Sequence, residues 1–234
     1  QWLNTAVYSQ LSDHASFTHY RLPSASSTAT ALNHVVIKQG AHSHYTNVSV
    51  PKGSGLTRDA VTASLCQSGA HARMVGCYAA KERQHADYHV QINHQASQTS
   101  SEQWVRSLVN DQSLVAFTGH ANVAENISGI DAQQTNHNLL LSPKAQMKIR
   151  PQLMVYSDDV QCSHGATVGQ LDPKALFYCR SRGMSEREAK RLLTHAFVDA
   201  GFTDLPDSLV KEHARQRVYQ TMGLTDHKGV SDDG

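Results

Sequence analysis

No stretch of the 234-residue chain approaches about 18 consecutive apolar residues, which excludes a membrane-crossing helix. The N-terminus lacks a signal-peptide pattern, and the chain opens on Gln1 rather than Met, so it reads as a fragment of a longer protein. An excess of one charge is also missing. Lys plus Arg is 21 and Asp plus Glu is 20, a net charge of +1. That balance removes the strong field of a nucleic-acid binder and the polybasic patch of a membrane-surface protein. The four cysteines (Cys66, Cys77, Cys162, Cys179) contain no CxxC pair, which argues against a structural zinc site of that kind. A chain this long needs no disulfide framework, so reduced thiols in a cytoplasm or an organelle stroma are expected. Aromatic residues are scarce at 6%, yet hydrophobic residues reach 39%, enough for a core and too many for a disordered chain. Histidine is abundant, with 15 copies.

Familiar catalytic motifs are also missing. The sequence has no GxxxxGK[ST] phosphate loop, no GxGxxG after a strand, no HExxH and no GxSxG. ATP hydrolysis by this chain alone is therefore not expected. His42-Ser43-His44 has the spacing of a chelate but reads better as a surface loop. Asp158-Asp159 reads as a solvated turn, and Asn126-Ile127-Ser128 as a sequon with no consequence in a reducing compartment.

The chain changes character near residue 172. Before it, short strand-like stretches dominate: Asn33 to Ile37, Asp59 to Leu65 and His89 to Asn93, with β-branched residues or two-residue alternation. Polar clusters punctuate them. An alanine recurs at Ala41, Ala70, Ala96, Ala124 and Ala145, a spacing that suits stacked coils of about twenty to thirty residues. A β-sandwich also has many short strands, so spacing leaves both architectures open. A solenoid would carry polar outer faces, and any uncovered strand edge would attract a partner.

After residue 172 the signals are helical. Asp172-Pro173 reads as an N-cap with proline at the first position, and that helix should stop at Gly183. Ser185 with Glu188 forms a capping box. Ala189, Leu192, Leu193, Ala196 and Phe197 then line one apolar stripe. Leu205-Pro206-Asp207 should open a third helix, with Val210, Ala214, Val218 and Met222 inward, before a loose tail.

One segment carries chemistry. Cys162 and His164 stand at i and i+2, which places both side chains on one face of a strand. A thiolate and an imidazole suit iron or zinc. Two ligands bind weakly, so a second chain or a sulfur species would have to complete the site. A half-buried cysteine beside a hydrogen-bonded histidine is the plainer alternative. An imidazole must shed its proton to bind metal, so metal affinity would weaken in mild acid.

The run Asp159-Val160-Gln161-Cys162-Ser163-His164-Gly165-Ala166-Thr167-Val168-Gly169-Gln170-Leu171-Asp172 closely resembles the signature of the SufD family, within the SufB/SufD group of the SUF iron–sulfur cluster assembly machinery. Gln133 to Ser142 and Ala175 to Gly183 resemble the same family. The clear resemblance runs from Arg83 to Phe197, and residues 1–82 are looser. It implies a mainly β chain, a right-handed parallel β-helix core over 1–171, and a small C-terminal α-helical region over 172–234. It also implies a non-ATPase scaffold in a complex of SufB with the SufC ATPase. The β-helix would pair with SufB and the C-terminal helices with SufC. His164, and with it Cys162, would then serve as catalytic and metal-ligating residues for a transient iron–sulfur cluster at the SufB interface. Flavin in the complex is compatible with the resemblance, and so is a homodimer in isolation. Nucleic acid and membrane are not expected partners, and the expected location is the cytoplasm or a plastid stroma. The family's N-terminal helical region is missing, and Cys179 reads as a buried structural thiol. The rival readings are a carbohydrate-active β-helix enzyme, a transporter component and a metal-buffering protein.

Overall fold

The computed structural model describes residues 1–203 and 208–224. The opening of the third helix at Leu205-Pro206-Asp207 and the tail from 225 lie outside the described residues. The strands are β1 (Trp2–Leu11), β2 (Ser16–Arg21), β3 (Thr30–Gln39), β4 (His44–Ser49), β5 (Leu56–Leu65), β6 (His71–Ala80), β7 (His85–His94), β8 (Ser100–Val109), β9 (Leu114–Val123), β10 (Ile130–Leu140), β11 (Gln146–Val155) and β12 (Val160–Gly169). Three helices follow: α1 (Pro173–Ser181), α2 (Glu186–Asp199) and α3 (Ser208–Met222). No described helix is long and apolar enough to cross a membrane.

Odd strands form one parallel sheet in chain order, and even strands form a second, also in chain order. The chain therefore winds as a β-helix of six coils, two strands to a coil. This settles the sandwich alternative, because every strand pair in the two sheets is parallel. The coil length varies: Thr30 pairs with Leu56, 26 residues on, and Leu114 with Gln146, 32 residues on. The alanine spacing reflects this period without marking one place in the coil. Ala70 and Ala145 are buried ahead of strands, whereas Ala124 follows β9.

Alternation makes the two faces. In β9, Val115, Phe117, Ala121 and Val123 point into the lumen between the sheets, and Thr118, His120 and Asn122 point out. Coil after coil, the inward set (Val35, Ile37, Val61, Ala63, Val90, Ile92) forms a continuous aliphatic core. The outward set pairs by ladder bonds, as where Asn122 donates to Asn93 at 2.9 Å. One corner is a stacked column of left-handed residues, His14, His42, Gly69, Gln98 and Gly129, joined by backbone bonds of 2.8–3.0 Å. Gly69 is needed there, since a Cβ would lie 2.2 Å from the His42 ring. His42 stacks on His14 at 5.2 Å within this corner, while His44 begins β4, so their chelate spacing serves a turn.

The lumen near the first coils holds a buried polar knot. Arg21 pairs with Asp59, whose other oxygen accepts from Ser49 and Tyr78, each at 2.6 Å. Burial raises the pKa of the Tyr78 phenol well above its usual range, which keeps it a donor.

The helices dock on the outer face of the even-strand sheet. Val48, Val75, Cys77 and Leu108 meet Val198, Phe202, Ala214 and Val218. Arg106 donates to the Phe197 carbonyl at 3.2 Å and sits over that ring. Arg217 donates to the Val50 carbonyl at 3.2 Å. The expected caps are present: Asp172 accepts from Lys174 N, and Ser185 and Glu188 form a reciprocal capping box. Two expectations are corrected. Of the expected α2 stripe, Ala189 is buried and Phe197 packs on the docking cluster, but Thr194 and Val198 complete the buried face, while Ala196 is exposed and Leu192 is 47% exposed. Cys179 is only half-buried, because α1 buries no residue at all.

Candidate functional site at the open end of the β-helix

The last coil consists of β11 and β12, each at the end of its sheet and paired on one side only among the described residues. β12 runs beside β10 in register, Ala132 with Cys162 and Gln134 with His164. Ala132, Gln134 and Asn136 are buried inward-facing residues of β10. In-register parallel strands share their inward face, so Cys162 and His164 also face the lumen. They are uncovered because no further described coil lies above them: Cys162 is half-buried and His164 exposed. Two residues of strand separate them by roughly 6–7 Å of backbone rise. Across the mouth, β11 turns Ile149, Pro151 and Leu153 inward, over Phe117, Gly119 and Ala121. Met154, Val155 and Tyr156 on the rim are exposed.

The geometry thus brings the two sequence-predicted residues together on one face. It does not supply a third ligand. Among the described residues no group of three or more His, Cys, Asp and Glu side chains is placed to hold a metal. Burial pushes the Cys162 thiol up, a backbone hydrogen bond at Ala132 opposes that, and the Asp131 charge adds to the rise. Cys162 therefore keeps its proton until a metal or a cationic neighbour displaces it. Asp158 and Asp159 are exposed in the turn before β12, as expected, and Asp159 in addition accepts from Gly129 N at 3.0 Å. Gly165 and Gly169 face open space, with nothing within 4 Å of an added Cβ.

Sequence reasoning missed the amides behind the pair. Gln134, Asn136 and Asn138 alternate along β10 beneath His164, Ala166 and Val168, and Gln103 lies one coil deeper. Their spacing of two was visible, but only the register shows them to be neighbours of His164.

Fold and site together define a parallel β-helix protein with a helical C-terminal layer and a thiol–imidazole pair at an open lumen mouth. Residues 1–197 match the family model of the SUF system FeS cluster assembly SufBD core domain, and the chain belongs to that SufB/SufD family. It is 37% identical over 132 residues to the iron–sulfur cluster assembly protein SufD of Escherichia coli, covering 56% of this chain and 30% of the relative. A SufBD family protein of Synechocystis is 30% identical over 210 residues, covering 89% of this chain and 46% of that one. A chloroplastic protein of Arabidopsis thaliana is 28% identical over 218 residues, covering 93% and 46%. The chain spans less than half the length of each of these relatives.

Proposed function

We propose that this chain is a scaffold subunit of the SUF machinery that builds part of a nascent iron–sulfur cluster at its open lumen mouth. The observation that carries the reading is the inward-facing pair Cys162 and His164 on a one-sided strand, with no third ligand beside them among the described residues. A matching β-helix, SufB, would lay its own last coil against β11 and β12 and supply the missing thiolate. Imidazole and thiolate are both iron ligands, and a thiolate can also take over the outer sulfur of a persulfide as the donor thiolate leaves. Cluster and iron are cargo here, held at a site split between two chains so that it can open for loading and release.

The chain would take its drive from SufC, the ATPase, through α1 and α2. What supports this is surface left uncovered: Phe177 is 75% and Tyr178 60% exposed on a helix that buries nothing. Beside it, a cleft of about 740 Å³ combines Leu141, Gln170 and Leu224 with the basic Arg187, Lys190 and Arg191. Closure of SufC on ATP would pull this layer, which Arg106 and Arg217 tie to the β-helix, and shift the mouth. No enzymatic step is assigned to the chain alone. It would act in a cytoplasm or, in a plant cell, a plastid stroma. Without SufB, two copies of the same open coil would pair instead.

The test is co-elution of the full-length protein with SufB and SufC, with the ATPase rate recorded. A stable three-protein complex with raised ATPase activity is expected. Phe177→Asp should weaken SufC binding at least tenfold, as loss of a central aromatic anchor does, while SufB stays bound. No complex with either partner would overturn the proposal. Unchanged SufC binding by Phe177→Asp would move the contact off α1.

A further inference from the structure

Beneath the mouth, the lumen holds buried amides without partners. Gln134 is 3% exposed, and neither its Nε2 nor its Oε1 meets a hydrogen-bond partner. One coil deeper, Gln103 donates from Nε2 to the His120 carbonyl at 3.2 Å, which leaves Oε1 alone. The opposite wall makes room for it: a Cβ on Gly119 would lie 2.7 Å from that oxygen. Along β10, Asn138 donates to the Asn136 side chain and to the Thr167 carbonyl, leaving Asn136 Nδ2 and Asn138 Oδ1 unpartnered. All four side chains are more than nine-tenths buried.

An orphaned buried polar atom is costly, so a cluster of five implies hydrogen-bonding partners from outside the chain's own atoms. The cluster offers donors and acceptors and no charge. Those are the properties that suit ordered water and a neutral imidazole, and not an iron ion. His164 is the one imidazole in register with Gln134. A metal-binding histidine is set by the hydrogen bond that its other nitrogen makes.

We infer that Gln134 is the positioning residue for His164. Its carboxamide, backed by water held between Gln103 and Asn136, engages the lumen-side nitrogen of the imidazole. One tautomer is thereby fixed, and the bare nitrogen is turned out of the mouth. The inference rests on the reading of His164 as a ligand and deepens it.

The experiment is long-range proton–nitrogen NMR on full-length protein carrying ¹⁵N-histidine, at pH 8, with the His164 signals assigned by their loss in His164→Ala. The intact protein should show one pyrrole-type and one pyridine-type nitrogen. In Gln134→Met both should move toward an averaged position, and Gln134→Asn, which keeps the amide, should restore the separation. Gln134→Met fills nearly the same volume, so its unfolding temperature should stay close to the parent's. A merely structural role predicts the reverse, lower stability with unchanged nitrogen shifts, and that result overturns the inference. Its failure is separable from failure of the ligand reading. Full cluster assembly by the His164→Ala complex removes the ligand role whatever the ring nitrogens do.

Discussion

Asp59→Ala should cost the fold about 3–5 kcal/mol, roughly a 10 °C fall in unfolding temperature. Asp59 is 0% exposed and accepts from Arg21, Ser49 and Tyr78. Removing it strands the Arg21 guanidinium in the lumen, with Asn47 Oδ1 at 3.4 Å as its remaining acceptor in the knot. It also removes the acceptor of the Ser49 hydroxyl and leaves the Tyr78 hydroxyl only its contact to Ser49, at 3.2 Å. An uncompensated buried charge is far costlier than replacing both partners together by apolar residues. The double variant Arg21→Met with Asp59→Leu should therefore recover most of the loss. Chemical denaturation of the three proteins decides it: a fall of less than about 1 kcal/mol in Asp59→Ala would show that the charge is not confined as described.

His164→Ala should lower cluster formation by the assembled complex at least tenfold while the complex elutes unchanged. His164 is exposed at a one-sided strand and carries none of the lumen packing, so its loss leaves the coil stack intact. Loss of even an outer-shell partner of a metal site costs about 10–100-fold in affinity, and loss of a ligand costs no less. Cys162→Ala should have a smaller effect if the partner supplies the main thiolate, because burial keeps the Cys162 thiol protonated. Full cluster yield from His164→Ala, with the complex intact, would remove the residue from the chemistry.

Much of this was legible in the sequence. The stretches at Asn33 to Ile37, Asp59 to Leu65 and His89 to Asn93 fall in β3, β5 and β7, because their alternation is the local signature of one inward face. The caps at Asp172 and Ser185 are local hydrogen bonds and were read directly. The shared face of Cys162 and His164 follows from strand period alone. What stayed hidden was set at long range. Which residues lie inward across coils depends on register, so the place of Gln134 under His164 had no local signal. The docked face of α2 was chosen by the sheet beneath it, which took Ala189, Thr194 and Val198 and left Leu192 out. The family resemblance makes Cys179 a core thiol, because an apolar residue is expected at that position, yet Phe177 and Tyr178 beside it are themselves uncovered.

On the proposed function, a nascent cluster touches the imidazole of this chain at the lumen mouth. Electron–nuclear double resonance tests it most directly, on the reduced cluster of the assembled complex, with ¹⁵N-histidine in this chain alone. A ¹⁵N coupling that disappears in His164→Ala is the predicted result. A reduced cluster formed in full yield, with no ¹⁵N coupling from this chain, would contradict the account.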